Sequence, residues 1–219
     1  FDETTGTITK YIGSATELVI PSEINGVKVT TLDSQSFKDC TSLISVTIPS
    51  SITTVGTNAF SGCSNLNTIY VYNDSDNIDS SNFNISSDTM PQSIFYFDEN
   101  DGAITKYEGS ATELVIPSEI NGVKVTILDI ASFKDCTSLT NVTIPKSIIK
   151  MGEDIFLGCS NLDSVYLCNV SDRSDSYKLR ISSDGTIPKL FFFDEQSKTI
   201  NDYTGSVTEV KIPSKINGV

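Results

Sequence analysis

The chain repeats itself with a period of 96 residues: Phe1-Asp2-Glu3 returns as Phe97-Asp98-Glu99 and again as Phe193-Asp194-Glu195. Residues 14–30 are identical to residues 110–126, and Cys40 and Cys63 map onto Cys136 and Cys159 with the same shift. Repeats of this kind specify elongated stacks in which each unit packs only on its neighbours. Length alone allows one large domain or two average ones. The period decides for a single continuous solenoid over 1–219, in blocks 1–96, 97–192 and a partial third block, 193–219. That third block stops inside the motif that continues at Val27 and Val123, so the chain reads as a fragment of a longer array. Function is then expected on a repeated surface, not in a single enclosed pocket.

A finer period lies inside the large one. Phe37, Cys40 and Leu43 recur 23 residues later as Phe60, Cys63 and Leu66, and the second block repeats this with Phe133, Cys136, Leu139 and Phe156, Cys159, Leu162. The phrase Phe-x-x-Cys-x-x-Leu leads into an alternating apolar run such as Val46-Thr47-Ile48-Pro49, which describes a coil of one short strand and one compact turn. Ser-Leu-Ile-Ser-Val-Thr-Ile-Pro at 42–49 and Ala-Phe-Ser-Gly-Cys-Ser-Asn-Leu at 59–66 resemble the BspA-type leucine-rich repeats of bacterial and protist surface proteins. The coil length falls in the leucine-rich-repeat range of roughly 20 to 29 residues. The resemblance covers 14–72 and 110–168, returns over 206–219, and is weak in 73–93 and 169–189. The usual array runs one coil directly after another, whereas this one is interrupted in every block. The resemblance implies a surface protein with a binding or adhesion role, placed outside the cell, on its surface or in its wall. It carries over no catalytic residue.

Strand candidates within one block are Leu18-Val19-Ile20, Val46-Thr47-Ile48, Ile69-Tyr70-Val71 and Ile94-Phe95-Tyr96, from apolar alternation and β-branched content. The steps between them, closing on Leu114, are 28, 23, 25 and 20 residues, so the poorly matching stretch should also coil. The long first step has a local cause. Asn25-Gly26, and Asn121-Gly122 in the second block, lie between apolar residues and signal a tight hairpin. A second hairpin is expected from Tyr96-Phe97-Asp98 to residues 104–107, turning through Asn100-Asp101-Gly102. Prolines 21, 49, 117, 145 and 213 follow strands and stop them. Helix is expected only as short turns near Ser36–Cys40 and Asn58–Cys63. The fold class is thus mainly β with short helical turns: a leucine-rich-repeat solenoid with a parallel strand ladder and protruding β-hairpins.

Absences narrow the chemistry. The chain has no histidine, which removes Ser-His-Asp mechanisms, histidine-bound zinc and imidazole acid–base work. No glycine-rich phosphate loop follows a strand, and the cysteines stand 23 apart, far from zinc-ribbon spacing. Carboxylates concentrate in turns such as Asp98-Glu99-Asn100-Asp101, where turn propensity explains them. The segment from Asn73 to Asp79 looks like a calcium loop but lacks the glycine and the distal glutamate of that pattern, and reads as a solvated loop. No catalytic residue, metal ligand or cofactor is expected. A net charge of −13 argues against nucleic acid and against anionic membrane. No run approaches the roughly 18 apolar residues of a membrane span, so no membrane insertion is expected in this segment. Sequons at Asn73, Asn84, Asn141 and Asn169 matter only if the source glycosylates secreted proteins.

Cys40 and Cys63 should stack on successive coils, about 4.8 Å apart between Cα atoms, within disulfide reach. Buried free cysteine packs as a small hydrophobe, so reduced thiols are expected while a disulfide stays geometrically open. Cys168 stands alone opposite Tyr72 of the first block and is expected to be the exposed thiol.

Alternate strand residues face opposite sides. Val46, Ile48, Ile69 and Val71 point inward, and Thr47, Tyr70, Tyr72, Thr143 and Tyr166 line an outer face, the usual binding surface of a solenoid. Exposed tyrosines there can anchor a partner or fill the face by cross-strand packing. Three readings follow for a non-enzymatic protein of this kind. It binds a host or extracellular-matrix protein or another surface macromolecule as a monomer. Or it is a spacer that projects another domain. Or it is the ancillary region of a surface enzyme whose catalytic domain lies elsewhere.

Overall fold

A computed structural model describes residues 1–72, 78, 80–86, 89–168, 176–183, 185–194 and 196–204. The expectations for the loop beginning at Asn73, the sequons at Asn73 and Asn169, the proline at 213 and the returning motif at 206–219 lie outside these residues. The chain divides into two compact units, Phe1–Asp98 with Thr105–Ser110, and Glu99–Ile104 with Ala111–Val219.

In the first unit Glu17–Val19, Ser45–Ile48, Thr68–Val71 and Ser93–Asp98 pair in parallel, in that order. Glu17 lies beside Ser45, Ser45 beside Thr68 and Thr68 beside Ser93, which are the expected steps of 28, 23 and 25 residues. The weakly matching stretch therefore does complete a coil. Phe83, 23 residues after Phe60, anchors it on a 3-10 turn, Ser80–Phe83. Val46, Ile48, Ile69, Val71, Ile94 and Tyr96 all point inward and are fully buried.

Beside the long ladder runs a set of strands that the sequence did not announce. Thr7–Ile8, Thr31–Leu32 and Thr54–Val55 form a second, short parallel ladder. Leu32 and Val55 face the same core as the long ladder. At the turns between the two ladders the rings of Tyr11, Phe37 and Phe60 stack and Phe83 tilts against Phe60, with successive centroids 5.4, 5.1 and 6.2 Å apart. The coils thus enclose a core between the two ladders and the column of rings. The hairpin inserted in the first step pairs Glu23 with Lys28 and Ile24 with Val27, and Asn25 and Gly26 take φ of 53° and 80° at its tip.

The turns at 36–40 and 58–63 form, as expected, as short segments. Successive three-residue bonds do form: Ser36 N–H donates to Asp33 O at 3.2 Å and Lys38 N–H to Gln35 O at 3.0 Å. Gln35 and Asp39 both take φ of 60°, and Asn58 and Gly62 take 56° and 81°. These left-handed residues break the run every few positions, so it bends into a compact turn without becoming a helix.

The second unit repeats the plan. Glu113–Val115, Asn141–Ile144, Ser164–Cys168 and Lys189–Asp194 form its long parallel ladder, and Thr199–Thr204 folds back antiparallel on the last of these. Ala103 and Ile104, the first residues of strand Ala103–Gly109, join Ile127–Leu128 and Lys150–Met151 in the short ladder. Glu119–Ile120 and Val123–Lys124 make the second Asn-Gly hairpin. The hairpin expected after Tyr96 also forms: in the first unit Thr105 Oγ1 donates to Tyr96 O at 3.3 Å, and Tyr107 returns over Phe95.

All five cysteines are free thiols. Cys63 Sγ donates to Phe37 O on the preceding coil at 3.0 Å, and Cys159 Sγ to Phe133 O at 3.0 Å. Burial pushes the Cys63 thiol up to about 11. Cys168, expected to be exposed, is buried: it lies beside Phe193 in the ladder and clusters with Tyr166 and Phe191. The half-exposed thiol is Cys40.

Candidate functional site: the outer face of the long ladder

Strand register sets the outer face row by row. Val19, Thr47, Tyr70 and Phe95 fall side by side in the first unit, and Val115, Thr143, Tyr166 and Phe191 in the second. Parallel neighbours about 4.8 Å apart bring rings in one row into contact. Tyr70 stacks on Phe95 at 5.8 Å and 20°, and Phe95 meets Tyr107 at 5.1 Å. Tyr166 stacks on Phe191 at 4.9 Å and 17°, and Phe191 meets Tyr203 at 5.0 Å. The two blocks build the same three-ring stack from residues far apart in sequence.

That stacking corrects the expected site. Of Thr47, Tyr70, Tyr72, Thr143 and Tyr166, all lie on the outer side as parity demands, yet only Tyr70 stays partly accessible. Thr47 is enclosed between Val19 and Tyr70 in its own row, and Thr143 between Val115 and Tyr166. Tyr72 tilts against Phe97 at 5.5 Å and is buried. Rings wider than the strand spacing cover the small residues beside them, so the face fills itself.

What remains open is the first strand of each ladder. Val19 is 56% exposed and Val115 50%, each two residues after an exposed glutamate, Glu17 or Glu113. Parity would have found both pairs, since Leu18 and Ile20 pointing inward force Glu17 and Val19 outward. Electrostatics ties the glutamates to the rings. Burial raises the Tyr70 hydroxyl above its usual range, and the Glu17 carboxylate adds to the effect. Tyr166 is raised chiefly by burial, with Asp163 and Glu113 contributing. Asp163 is held low by Lys189, whose Nζ donates to it at 2.7 Å.

Among the described residues no three of His, Cys, Asp and Glu converge as a metal site requires. No helix among them is long and apolar enough to cross a membrane.

The coil length, the two-ladder core and the free, stacked cysteines define a leucine-rich-repeat protein. Residues 10–124 and 104–219 match the model of the BspA type leucine rich repeat region, and the chain belongs to that family. Among solved structures it is similar to the leucine-rich-repeat protein of T. pallidum, with 25% identity over 74% of this chain and 63% of that one, at a TM-score of 0.30. A leucine rich cell surface protein of Faecalibacterium prausnitzii shares 23% identity over 68% of this chain and 40% of its own, at 0.30. A leucine-rich-repeat protein of Bacteroides ovatus shares 23% over 80% and 42%, at 0.35. The chain thus spans less than two thirds of each of these proteins. No curated protein matches it.

Proposed function

We propose that the protein is a non-catalytic binding module displayed on the cell surface, with adhesion to a host or extracellular-matrix protein as its role. The observation that carries this reading is the strip Glu17, Val19, Tyr70 and its counterpart at Glu113 and Val115: an apolar and acidic patch left open on the ladder face of both blocks. Membership of a surface-repeat family supports it, as does the absence of histidine from the whole chain. Two weak sites on one chain gain by avidity when a partner can engage both.

The test is adhesion of the protein to immobilised extracellular-matrix proteins, alongside a Val19→Asp, Val115→Asp variant. The reading expects at least a tenfold loss of retention in the variant with its thermal melt unchanged. Unaltered retention would take the site off this face.

A second reading, the spacer, is favoured by one observation: Thr47, Thr143 and Tyr166 are spent on covering the ladder. Failure of wild type and variant alike to bind any matrix protein would put it first.

A further inference from the structure

We propose that Cys40 with Cys63, and Cys136 with Cys159, are two sites of coil-to-coil disulfide formation, closed by exchange with a small-molecule disulfide and clamping each turn to the next. This is independent of the ligand reading above and concerns how the stack is held.

Backbone register prepares both pairs. Phe37 N–H donates to Ala59 O and Asp39 N–H to Ser61 O, both at 2.8 Å, and Phe133 and Asp135 make the same bonds to Ile155 and Leu157 at 2.9 and 2.8 Å. Turns joined in this way stack about 4.8 Å apart, inside the roughly 4.4–6.8 Å between Cα atoms that a disulfide spans. The side chains follow: the thiols of Cys40 and Cys63 hydrogen bond to one another, as do those of Cys136 and Cys159. Closing the bridge also orphans nothing. Cys63 Sγ gives up its bond to Phe37 O, but that carbonyl keeps the Cys40 N–H at 3.2 Å. Phe133 O likewise keeps the Cys136 N–H at 3.4 Å when Cys159 lets go. Cys168 is the contrast, since its ladder neighbour is Phe193 and it packs among rings.

Exposure sets the order of events. Cys40 is half-exposed while Cys63 is buried, so Cys40 meets the oxidant first. Its thiolate attacks one sulfur of the small disulfide, forming a mixed disulfide and expelling one small thiolate. The Cys63 thiolate then attacks Cys40 Sγ, forms the internal bond and expels the second. Two protein thiols are oxidised, one small disulfide is reduced, and the two protein protons pass to the released thiolates. Burial holds both thiols up, with Asp39 adding to the effect, so the exchange quickens as pH rises. Cys136 is buried where Cys40 is not, so the second pair closes more slowly. The surface location proposed above is where disulfides persist once formed.

The test treats the native protein with glutathione disulfide at about pH 8.5, then blocks free thiols under acid quench and maps crosslinks by mass spectrometry without reduction. The Cys40–Cys63 bond is expected first, Cys136–Cys159 at least about fivefold more slowly, and Cys168 as a free thiol. The crosslinked protein should melt at least about 5 °C higher and return to its starting value on reduction. Cys63→Ser, which keeps a donor for Phe37 O, should collect glutathione on Cys40 and form no crosslink in the first unit. Cys40→Ser should leave Cys63 unmodified. Wild type that stops at glutathione on Cys40 would show that Cys63 cannot reach it, and overturns the proposal. Crosslinks to Cys168, or a crosslinked protein with an unchanged or lower melt, would mean that the bonds form through unfolded chain, and overturn it as well. Glutathione on Cys63 in Cys40→Ser would overturn the entry through Cys40.

Discussion

The first and second blocks share every residue from 14 to 30, the strand and hairpin that open each unit, yet they part company on the short ladder a few residues later. Thr31, Ser34 and Thr53 of the first block become Ile127, Ile130 and Ile149 in the second. Ile130 is 66% exposed and Ile149 82%, so the change puts apolar surface in water. The inward partners do not follow: Leu32 and Leu128 are both buried, and Val55 becomes only the similarly apolar Met151. Gly56 and Gly152 stay fixed as well, since a Cβ there would run into the backbone of Ser34 or Ile130 on the preceding coil. Two copies of one fold thus differ freely at outward positions on and beside the short strands and hardly at all where those strands face in. The fold is held by columns that run across coils, not by any one strand.

The ring column is where the comparison can be broken most sharply. Phe60 lies between the rings of Phe37 and Phe83, while Phe156 has Phe133 on one side and Leu179 at the position of the third ring. Both are fully buried. Phe60→Ala and Phe156→Ala should each cost about 3–5 kcal/mol in denaturant unfolding. Phe60 should lose the more, because a second ring contact adds about 0.5–1.5 kcal/mol. A loss below about 1 kcal/mol at either site would show that the ring column is not what joins the coils.

Much of this architecture was legible from residues alone, and the reasons it stopped where it did are physical. The long ladder could be read because four-residue strands such as Ser45–Ile48 show two full alternations, and the hairpins because Asn25-Gly26 suits positive φ. The 25-residue step to Ser93 emerged from spacing although the intervening residues match poorly. The short ladder stayed hidden: Thr31–Leu32 is two residues long and has no period to detect. At the turns, Asp39, Asn58 and Gly62 are residue types that take left-handed backbone readily while Gln35 is not, so where the helix-like run breaks was only partly marked. The site was half legible. Parity placed Thr47 and Tyr166 on the outer side correctly, but the burial of Thr47 depends on Val19 and Tyr70 and that of Tyr166 on Phe191 and Tyr203, which meet them only through register between strands distant in sequence.

Alkaline pH probes both blocks at once. Cys63, Tyr70 and Tyr166 are acids kept neutral by burial, with folded values above their usual ones. Their contribution is therefore complete below the unfolded values, 9.0 for the thiol and 10.0 for tyrosine, and is lost as pH rises through the folded values, about 11 for Cys63. The melting temperature should hold steady from neutral pH to about 9 and then fall. A Cys63→Ala variant should start lower and fall less steeply. A wild-type melt that rises above pH 9 would contradict the burial of these groups.

The smallest expected effect returns to the short ladder. Ile130→Ser with Ile149→Thr gives the second block the outward residues that the first already carries. Exposed side chains lose almost no burial on such a change, so stability should move by no more than about 0.5 kcal/mol. The first block shows that the same backbone accepts serine and threonine at these places. What should change is the surface: binding of an apolar dye to the folded protein should drop, since the two most exposed isoleucines among the described residues of the second unit are gone. A loss of 2 kcal/mol or more, on the scale of about one buried side chain, would mean that Ile130 and Ile149 are buried against something in the folded protein. The difference between the blocks would then be a packed contact specific to the second copy, and the freedom of outward positions would not hold there.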